Sequence, residues 1–371
     1  MWQGIDTHKM LVRRLTYNNF RNLTSLEWEP GSGFNILWGN NAQGKTNLLE
    51  GIYLLANLKS FRAGRNEELI RHSAGQARIG GTLQGGGVAH KLEFIVAPAG
   101  RSYLFDGKPL TRLEQLADTM RAILFTPEEI TIMRSSPQAR RALLDRAVFQ
   151  SQPSHLGRVQ KYEKVLRQRN VLLRQEAPRA QLQPWTEALI DSGAALRRQR
   201  GQFIADFRPW FTQAMQAISG DDEDVTLSYA EGTVAETELR HKMTEDLART
   251  AEREKALGQT QTGPHRDDLH FVIDGRALRQ YGSQGQLRSA LLAFKVAQLA
   301  LLEKQVGHPP VLLLDDMTSE LDRERQERLF SYLQRSKGQI FITTTAPAAL
   351  LADTLRGAVS HRVVQGRLFP D

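Results

Sequence analysis

Gly39-Asn40-Asn41-Ala42-Gln43-Gly44-Lys45-Thr46 matches G-x-x-x-x-G-K-[ST] at every fixed position. The apolar run Phe34-Asn35-Ile36-Leu37-Trp38 precedes it, and Leu48, Leu49, Ile52, Leu55 and Ala56 follow at helical spacing. Strand, glycine turn and helix in that order commit this part of the chain to an α/β core. The glycines permit a tight turn whose N–H groups surround a β-phosphate. Lys45 would neutralise the β- and γ-phosphates, and the Thr46 hydroxyl would ligate Mg²⁺. A chance glycine-rich turn is the competing reading, and the flanking strand and helix argue against it.

A second motif lies far downstream. Val311-Leu312-Leu313-Leu314 reads as a buried strand ending in Asp315-Asp316. The first carboxylate would hold Mg²⁺; the second is placed to orient an attacking water. A helix N-cap is the plainer alternative for either aspartate. Ser319-Glu320-Leu321-Asp322 reads alone as a cap before a helix at 323–336, or, beside the other motifs, as a contact across a two-fold interface. Thr343-Thr344-Thr345 ends the next strand, either as ordinary β-branched residues or as hydroxyls near a γ-phosphate.

Tyr281-Gly282-Ser283-Gln284-Gly285-Gln286-Leu287-Arg288 is a small turn opening a helix, with free N–H groups and a hydroxyl suited to a terminal phosphate. One phosphate loop already exists in the chain. A second phosphate-binding element at a distance suggests ATP sandwiched between two copies of the protein. Gly263-Pro264-His265-Arg266-Asp267-Asp268 is a dense polar turn, open to metal or acid–base work and equally to a structural Arg–Asp pairing.

Charge is unevenly spread. The 371 residues carry a net charge of +8, yet residues 131–210 hold 15 Lys/Arg against 6 Asp/Glu. A basic middle segment on a near-neutral remainder fits a polyanion-binding surface, or a set of solvated helix faces. There is no cysteine, which excludes disulfides and thiolate metal sites and agrees with a reducing cytosol. Ala290-Leu291-Leu292-Ala293-Phe294 is cut short by Lys295, so no apolar run spans a membrane. Residues 1–6 lack a signal-peptide apolar region, and Met10 is a candidate start.

Strand patterns occupy 11–17, 26–28, 34–38 and 76–106, with a turn at Gly85-Gly86-Gly87. Helical spacing then fills 137–149, 155–175 and 185–218, with Pro178 and Pro184 bounding a link. Leu189, Leu196, Phe203, Phe207, Trp210 and Phe211 form a stripe read as core. Asp221-Asp222-Glu223-Asp224 reads as a loop, a charged helix covers 235–257, and 269–273 is a strand of unassigned lobe. A helix at 284–305 and a strand at 340–342 complete the pattern.

Taken in order, these blocks resemble the RecF family of bacterial recombination mediators, ABC-type ATPase heads akin to SMC proteins, over essentially the whole chain. Asn19-Phe20-Arg21-Asn22, Ser60-Phe61-Arg62, Glu68-Leu69-Ile70, Phe125 to Glu129, Pro137 to Arg141 with Leu144-Asp145, and Gly263 to Asp268 carry the likeness. It implies a two-lobed α/β head with no long coiled coil: residues 1–125 and 301–371 form a β-rich ATPase lobe, and 126–300 a helical lobe. It implies that Gly39 to Thr46 and Asp315 hold ATP and Mg²⁺, that Asp316 and Lys45 serve catalysis, and that Ser283, Gly285 and Gln286 meet the nucleotide of a partner subunit. Arg62 is implied to link nucleotide to DNA, and Arg21 and Asn22 to lie beside the adenine or ribose.

The implied activity is ATP-dependent DNA binding in recombinational repair and replication restart. ATP closes a homodimer on duplex DNA and single-strand/duplex junctions, RecA is loaded with RecO and RecR, and weak DNA-stimulated hydrolysis resets the clamp. The implied site of action is the cytoplasm, at the nucleoid when DNA is bound. Arg140, Arg141, Arg158, Lys161, Lys164, Arg167 and Arg169 are the DNA-contact candidates. Three departures stand out: Thr344 near the place of the transporter switch histidine, Glu129 where the family has Asp, and Gly282 and Gln284 within the signature. A transport ATPase subunit would need that histidine, and an SMC-like structural ATPase would need long heptad arms.

Overall fold

Alternate burial within Leu11–Phe20, with Leu15 and Tyr17 inside and Arg14, Thr16 and Asn18 outside, is the period-two signature of a strand with one wet face. The computed structural model describes residues 10–371 apart from 86, 113–114, 117–118, 220–222, 230–232, 317–322, 336–337, 348–354 and 356. Ser319 to Asp322, Gly86, Asp221, Asp222 and the tail before Met10 therefore lie outside the described residues.

The strands in chain order are β1 Leu11–Phe20, β2 Leu23–Trp28, β3 Phe34–Trp38, β4 Ala77–Gly85, β5 Val88–Ala97, β6 Gly100–Phe105, β7 Lys108–Pro109, β8 Ala122–Phe125, β9 Val225–Tyr229, β10 Leu269–Ile273, β11 Arg276–Ala277, β12 Val311–Leu314, β13 Ile340–Thr344, β14 Val359–Val364 and β15 Arg367–Pro370. The chain folds as two compact units. One comprises Met1–Ile130, Gln216–Gly220 and Leu291–Asp371; the other comprises Thr131–Met215 and Asp221–Ala290. The outer divisions fall at 130/131 and 290/291, where the sequence pattern suggested 125/126 and 300/301, and the chain also returns briefly to the first unit at 216–220. The helices Pro127–Arg134 and Gln284–Val306 run straight through them, so nothing local marks the break.

In the first unit, an antiparallel sheet in the order β2-β1-β4-β5-β6-β7 stands beside a mixed sheet in the order β15-β14-β3-β13-β12-β8. Strands β14, β3, β13, β12 and β8 are parallel, and only β15 runs the other way. Strand β12 is buried at all four positions, as a parallel strand covered on both faces must be. The helix Lys45–Asn57 seats Leu48, Leu49, Ile52 and Leu55 in one core with Leu15, Phe94, Leu313 and Phe341. Parallel order carries the ends of β3, β12, β13 and β8 to a single carboxyl edge, where ligand sites of such sheets form.

The second unit is helical around a small antiparallel sheet, β11-β10-β9. Strand β10, of unassigned lobe in the sequence, belongs here, and β9 carried no sequence expectation. The link expected between Pro178 and Pro184 closes sooner: the helix before it ends at Arg174, and the next runs Arg179–Ser219 with Pro184 and Pro209 inside it. Each proline forfeits a backbone hydrogen bond. The buried stripe of Leu189, Leu196, Phe203, Phe207 and Phe211 outweighs that loss; Trp210 lies only half-buried.

Candidate functional site

The carboxyl edge of the parallel sheet holds a cavity of about 340 Å³ lined by Asn22, Asn41, Ala42, Gln43, Gly44, Lys45, Thr46, Asn47, Arg62, Asp315, Asp316 and Thr343. The loop from β3 wraps it. Gly44 has φ +110°, and a Cβ there would stand 2.7 Å from Asn22 Oδ1. Ala42 takes a left-handed φ of +63° without being glycine, a local strain of about 1 kcal/mol. Lys45 Nζ donates to the carbonyls of Gly39 at 2.6 Å and Asn40 at 2.9 Å, so these two residues act on the lysine and do not line the cavity themselves. Burial lowers the Lys45 pKa, while the Asp316 and Asp315 carboxylates pull it back up.

Strand register explains how distant residues meet. Leu314 pairs with Phe125 on one side and Ile342 on the other, and Asp315 N–H donates to Phe125 O at 3.0 Å. Asp315 thereby leaves the sheet opposite Thr46, whose Oγ1 donates to Asp315 Oδ1 at 2.9 Å. Thr343 Oγ1 donates to the same oxygen at 2.6 Å and accepts the Asp316 N–H at 2.9 Å. Burial pushes the Asp315 carboxyl above its usual range; the hydroxyls of Thr343 and Thr46 oppose this, Glu128 adds to it and Arg62 opposes it. Asp316 takes φ +46°, a strained conformation of the kind found at functional sites.

Thr46 and Asp315 offer hard oxygen donors 2.9 Å apart. Adjacent ligands on an octahedral ion with bonds of about 2.0–2.1 Å have this separation, so the pair fits Mg²⁺. Among the described residues no group of three or more His, Cys, Asp or Glu is placed to hold a metal ion.

Of the other expected residues, Asn22 reaches the cavity, accepting from Asn47 Nδ2 at 2.8 Å and donating to Gln43 O at 3.1 Å. Arg21 does not line it: its Nε and Nη2 are spent on Glu50, at 2.9 and 2.8 Å. Arg62 is exposed at the cavity rim and donates to Asn47 Oδ1 at 3.3 Å. Thr344 is turned to the backbone, accepting the Ala346 N–H at 3.0 Å, so Thr343 is the member of that triplet in the site. The sequence reading passed over Asn47, Glu50 and the turn Gln365-Gly366, whose backbone N–H groups donate to Gln43 Oε1 and Gln43 O, each at 2.8 Å. Asn47 had a usable signal, as the residue after Thr46 on the loop-facing end of the helix.

In the second unit, Ser283 and Gln284 are exposed at the start of the helix Gln284–Val306. Gln286 N–H donates to Ser283 Oγ at 3.1 Å, and Ser283 N–H donates to Gln286 Oε1 at 2.9 Å, a reciprocal capping box. The Gln286 carbonyl is therefore a cap. The Ser283 hydroxyl, which only accepts in this box, keeps its O–H to donate.

The candidate DNA contacts divide sharply. Arg158, Lys161, Lys164 and Arg167 are exposed on the helix His155–Arg174. Arg140 is 2% exposed, its Nε and Nη2 on Asp268 at 2.8 and 2.5 Å and its Nη1 on Ser135 O at 2.6 Å. Arg169 is 4% exposed and bound to Glu254, Thr260 and Thr186. Both are therefore struck from the phosphate-contact set, because their donors are spent inside the unit. Arg141 donates to Asp267 O at 2.6 Å and is half-buried.

The turn Gly263 to Asp268 is the hub of this buried network, its two aspartates paired with arginines. Arg197 forks onto Asp267 at 2.7 and 3.0 Å, Tyr229 donates to Asp267 at 2.7 Å, and Arg200 joins Asp145 to Pro264 O. His265 Nε2 donates to Thr260 O at 3.2 Å and its Nδ1 meets Tyr162 OH at 2.7 Å, where a neutral ring would accept the phenol proton. Burial drives its pKa down to about 4.

Residues 11–363 match the family described as RecF/RecN/SMC N terminal domain. The DNA replication and repair protein RecF of Syntrophotalea carbinolica is 41% identical over 359 residues, covering 97% of this chain and 99% of that protein. That of Geotalea uraniireducens is 38% identical, covering 95% and 97%. A solved structure of the recombination mediator RecF with ATP, in the RecFOR pathway, superposes with a TM-score of 0.88 at 29% identity over 98% of each chain. The Smc head domain from Pyrococcus furiosus shares the fold at a TM-score of 0.56 and 16% identity, covering 97% of this chain and 95% of that one. The chain belongs to the RecF family of DNA replication and repair proteins, within the ABC-type ATPase heads.

Proposed function

We propose that this chain is an ATP-dependent DNA-binding protein of recombinational repair and replication restart, acting in the cytoplasm and at the nucleoid. Mg²⁺–ATP binds the phosphate loop of one copy, and the Ser283 turn of a second copy closes over the γ-phosphate. The resulting homodimer holds duplex DNA and single-strand/duplex junctions, and with RecO and RecR it helps load RecA at gaps. Weak, DNA-stimulated hydrolysis, with Asp316 orienting water and Lys45 stabilising charge, reopens the clamp.

The observation that carries this reading is the meeting of Thr46, Asp315 and Thr343 on one carboxylate oxygen beside the phosphate loop. The exposed Ser283 hydroxyl supports the dimer, and the exposed row from Arg158 to Arg167 supports DNA as the polyanion. Sedimentation with ATP, ADP or no nucleotide, with and without a gapped duplex, tests the scheme. A dimer forming only with ATP, and lost in Ser283→Arg with ATP affinity retained, is the expected result; dimers that ignore nucleotide or survive Ser283→Arg refute the clamp.

A further inference from the structure

Glu50 lies in the middle of the helix Lys45–Asn57 and is 0% exposed. A carboxylate buried so completely is tolerated only with charge and hydrogen-bond partners. Arg21 provides the charge through two bonds, at 2.9 and 2.8 Å. The other partner is Ser60, whose Oγ donates to Glu50 Oε1 at 2.5 Å. That same Ser60 oxygen accepts the backbone N–H of Arg62 at 2.9 Å and of Ala63 at 2.7 Å. Three hydrogen bonds converge on one hydroxyl, and its single proton is committed to Glu50.

The chain of contacts ends at the nucleotide cavity. Arg62 lines it, donates to Asn47 Oδ1 and by its charge opposes the burial that raises the Asp315 pKa. An exposed arginine of four rotatable bonds pays a large entropic penalty when a ligand must recruit it from free solution. Fixing its backbone beforehand removes the backbone share of the ordering cost, leaving only the side chain to be ordered.

We propose that Glu50 is the positioning residue of the nucleotide site: through the Ser60 hydroxyl it sets the turn 60–63 and holds Arg62 over the phosphate loop before ATP arrives. Arg21 plays the complementary part of neutralising the buried carboxylate. The inference rests on the reading that Arg62 touches the nucleotide.

The test is a double-mutant cycle on the full chain, titrating a fluorescent ATP analogue and recording the thermal midpoint of each variant. Arg62→Ala is expected to weaken binding by about tenfold or more, the worth of a charge-assisted contact. Ser60→Ala weakens it by a similar factor, Ser60→Thr restores it, and the double variant binds no worse than Arg62→Ala alone. A residue that merely stabilised the unit would lower the thermal midpoint and give additive losses. Normal affinity in Arg62→Ala refutes the reading of Arg62 and the proposal with it. A loss in Arg62→Ala beside normal affinity in Ser60→Ala, or full additivity in the double variant, overturns the proposal alone. Glu50→Gln enters the same cycle should Ser60→Ala fail to fold; non-additivity with Arg62→Ala supports the proposal and additivity overturns it.

Discussion

Thr46 Oγ1 and Asp315 Oδ1, separated by 269 positions of sequence, are hydrogen-bonded at 2.9 Å. Thr343 donates to the same carboxylate oxygen at 2.6 Å. A divalent ion entering between Thr46 and Asp315 would replace one hydrogen bond with two coordinate bonds while Thr343 keeps the carboxylate aimed. The site is thus built before any ligand binds, which favours affinity by reducing the cost of ordering.

Lys45→Met should weaken ATP binding by about a hundredfold or more, since a buried point charge facing phosphate is removed. Isothermal titration calorimetry measures it. Wild-type affinity in this variant would sink the phosphate-loop assignment.

Arg169→Ala should destabilise the protein by about 3–5 kcal/mol, because Glu254 would be left as a buried carboxylate without its arginine, and Arg140→Ala should also destabilise it, by less, because Asp268 is only part-buried. Lys161→Ala, on the exposed row, should shift stability by no more than about 0.5 kcal/mol. It should instead reduce the slope of log DNA affinity against log salt by about 1. Denaturant midpoints and a salt series separate the two groups.

Stability should fall with acidity through His265. The unfolded chain takes up this proton near pH 6.5, whereas the folded ring, buried between Tyr162 and Thr260, does so only at about 4. Its contribution is whole above pH 6.5 and is lost progressively as the pH drops towards 4, by an amount on the order of 3 kcal/mol. Denaturant midpoints at pH 7 and 4.5 should differ more for the wild type than for His265→Gln; equal differences would refute the assignment.

Gly51→Ala should destabilise despite the better helix propensity of alanine. A Cβ at Gly51 would lie 2.2 Å from Tyr17 Cε1, and Tyr17 is pinned by its bond to Leu48 O at 2.8 Å. Overpacking of about 1–3 kcal/mol outweighs the gain of about 1 kcal/mol. A raised denaturation midpoint would contradict this.

The phosphate loop, the Asp315-Asp316 strand end and most helices were legible because each is defined by neighbours within a few residues. Pro184 misled, since a proline's local cost is visible in sequence and the compensating burial of Leu189 to Phe211 is not. Glu50 was invisible for the opposite reason: a lone glutamate in a helical segment reads as surface, and only folding brings Arg21 and Ser60 to it.

Sequence alone determined the chemistry of the phosphate loop, because contiguous residues there supply both the turn and the charge. Tertiary structure alone decided which arginines face water. Helical spacing places Arg140 and Lys161 on faces of their helices, but it says nothing of the carboxylate at Asp268, brought to Arg140 from 128 residues away. A buried charge and a solvated one differ in their partners, and partners are a property of the fold.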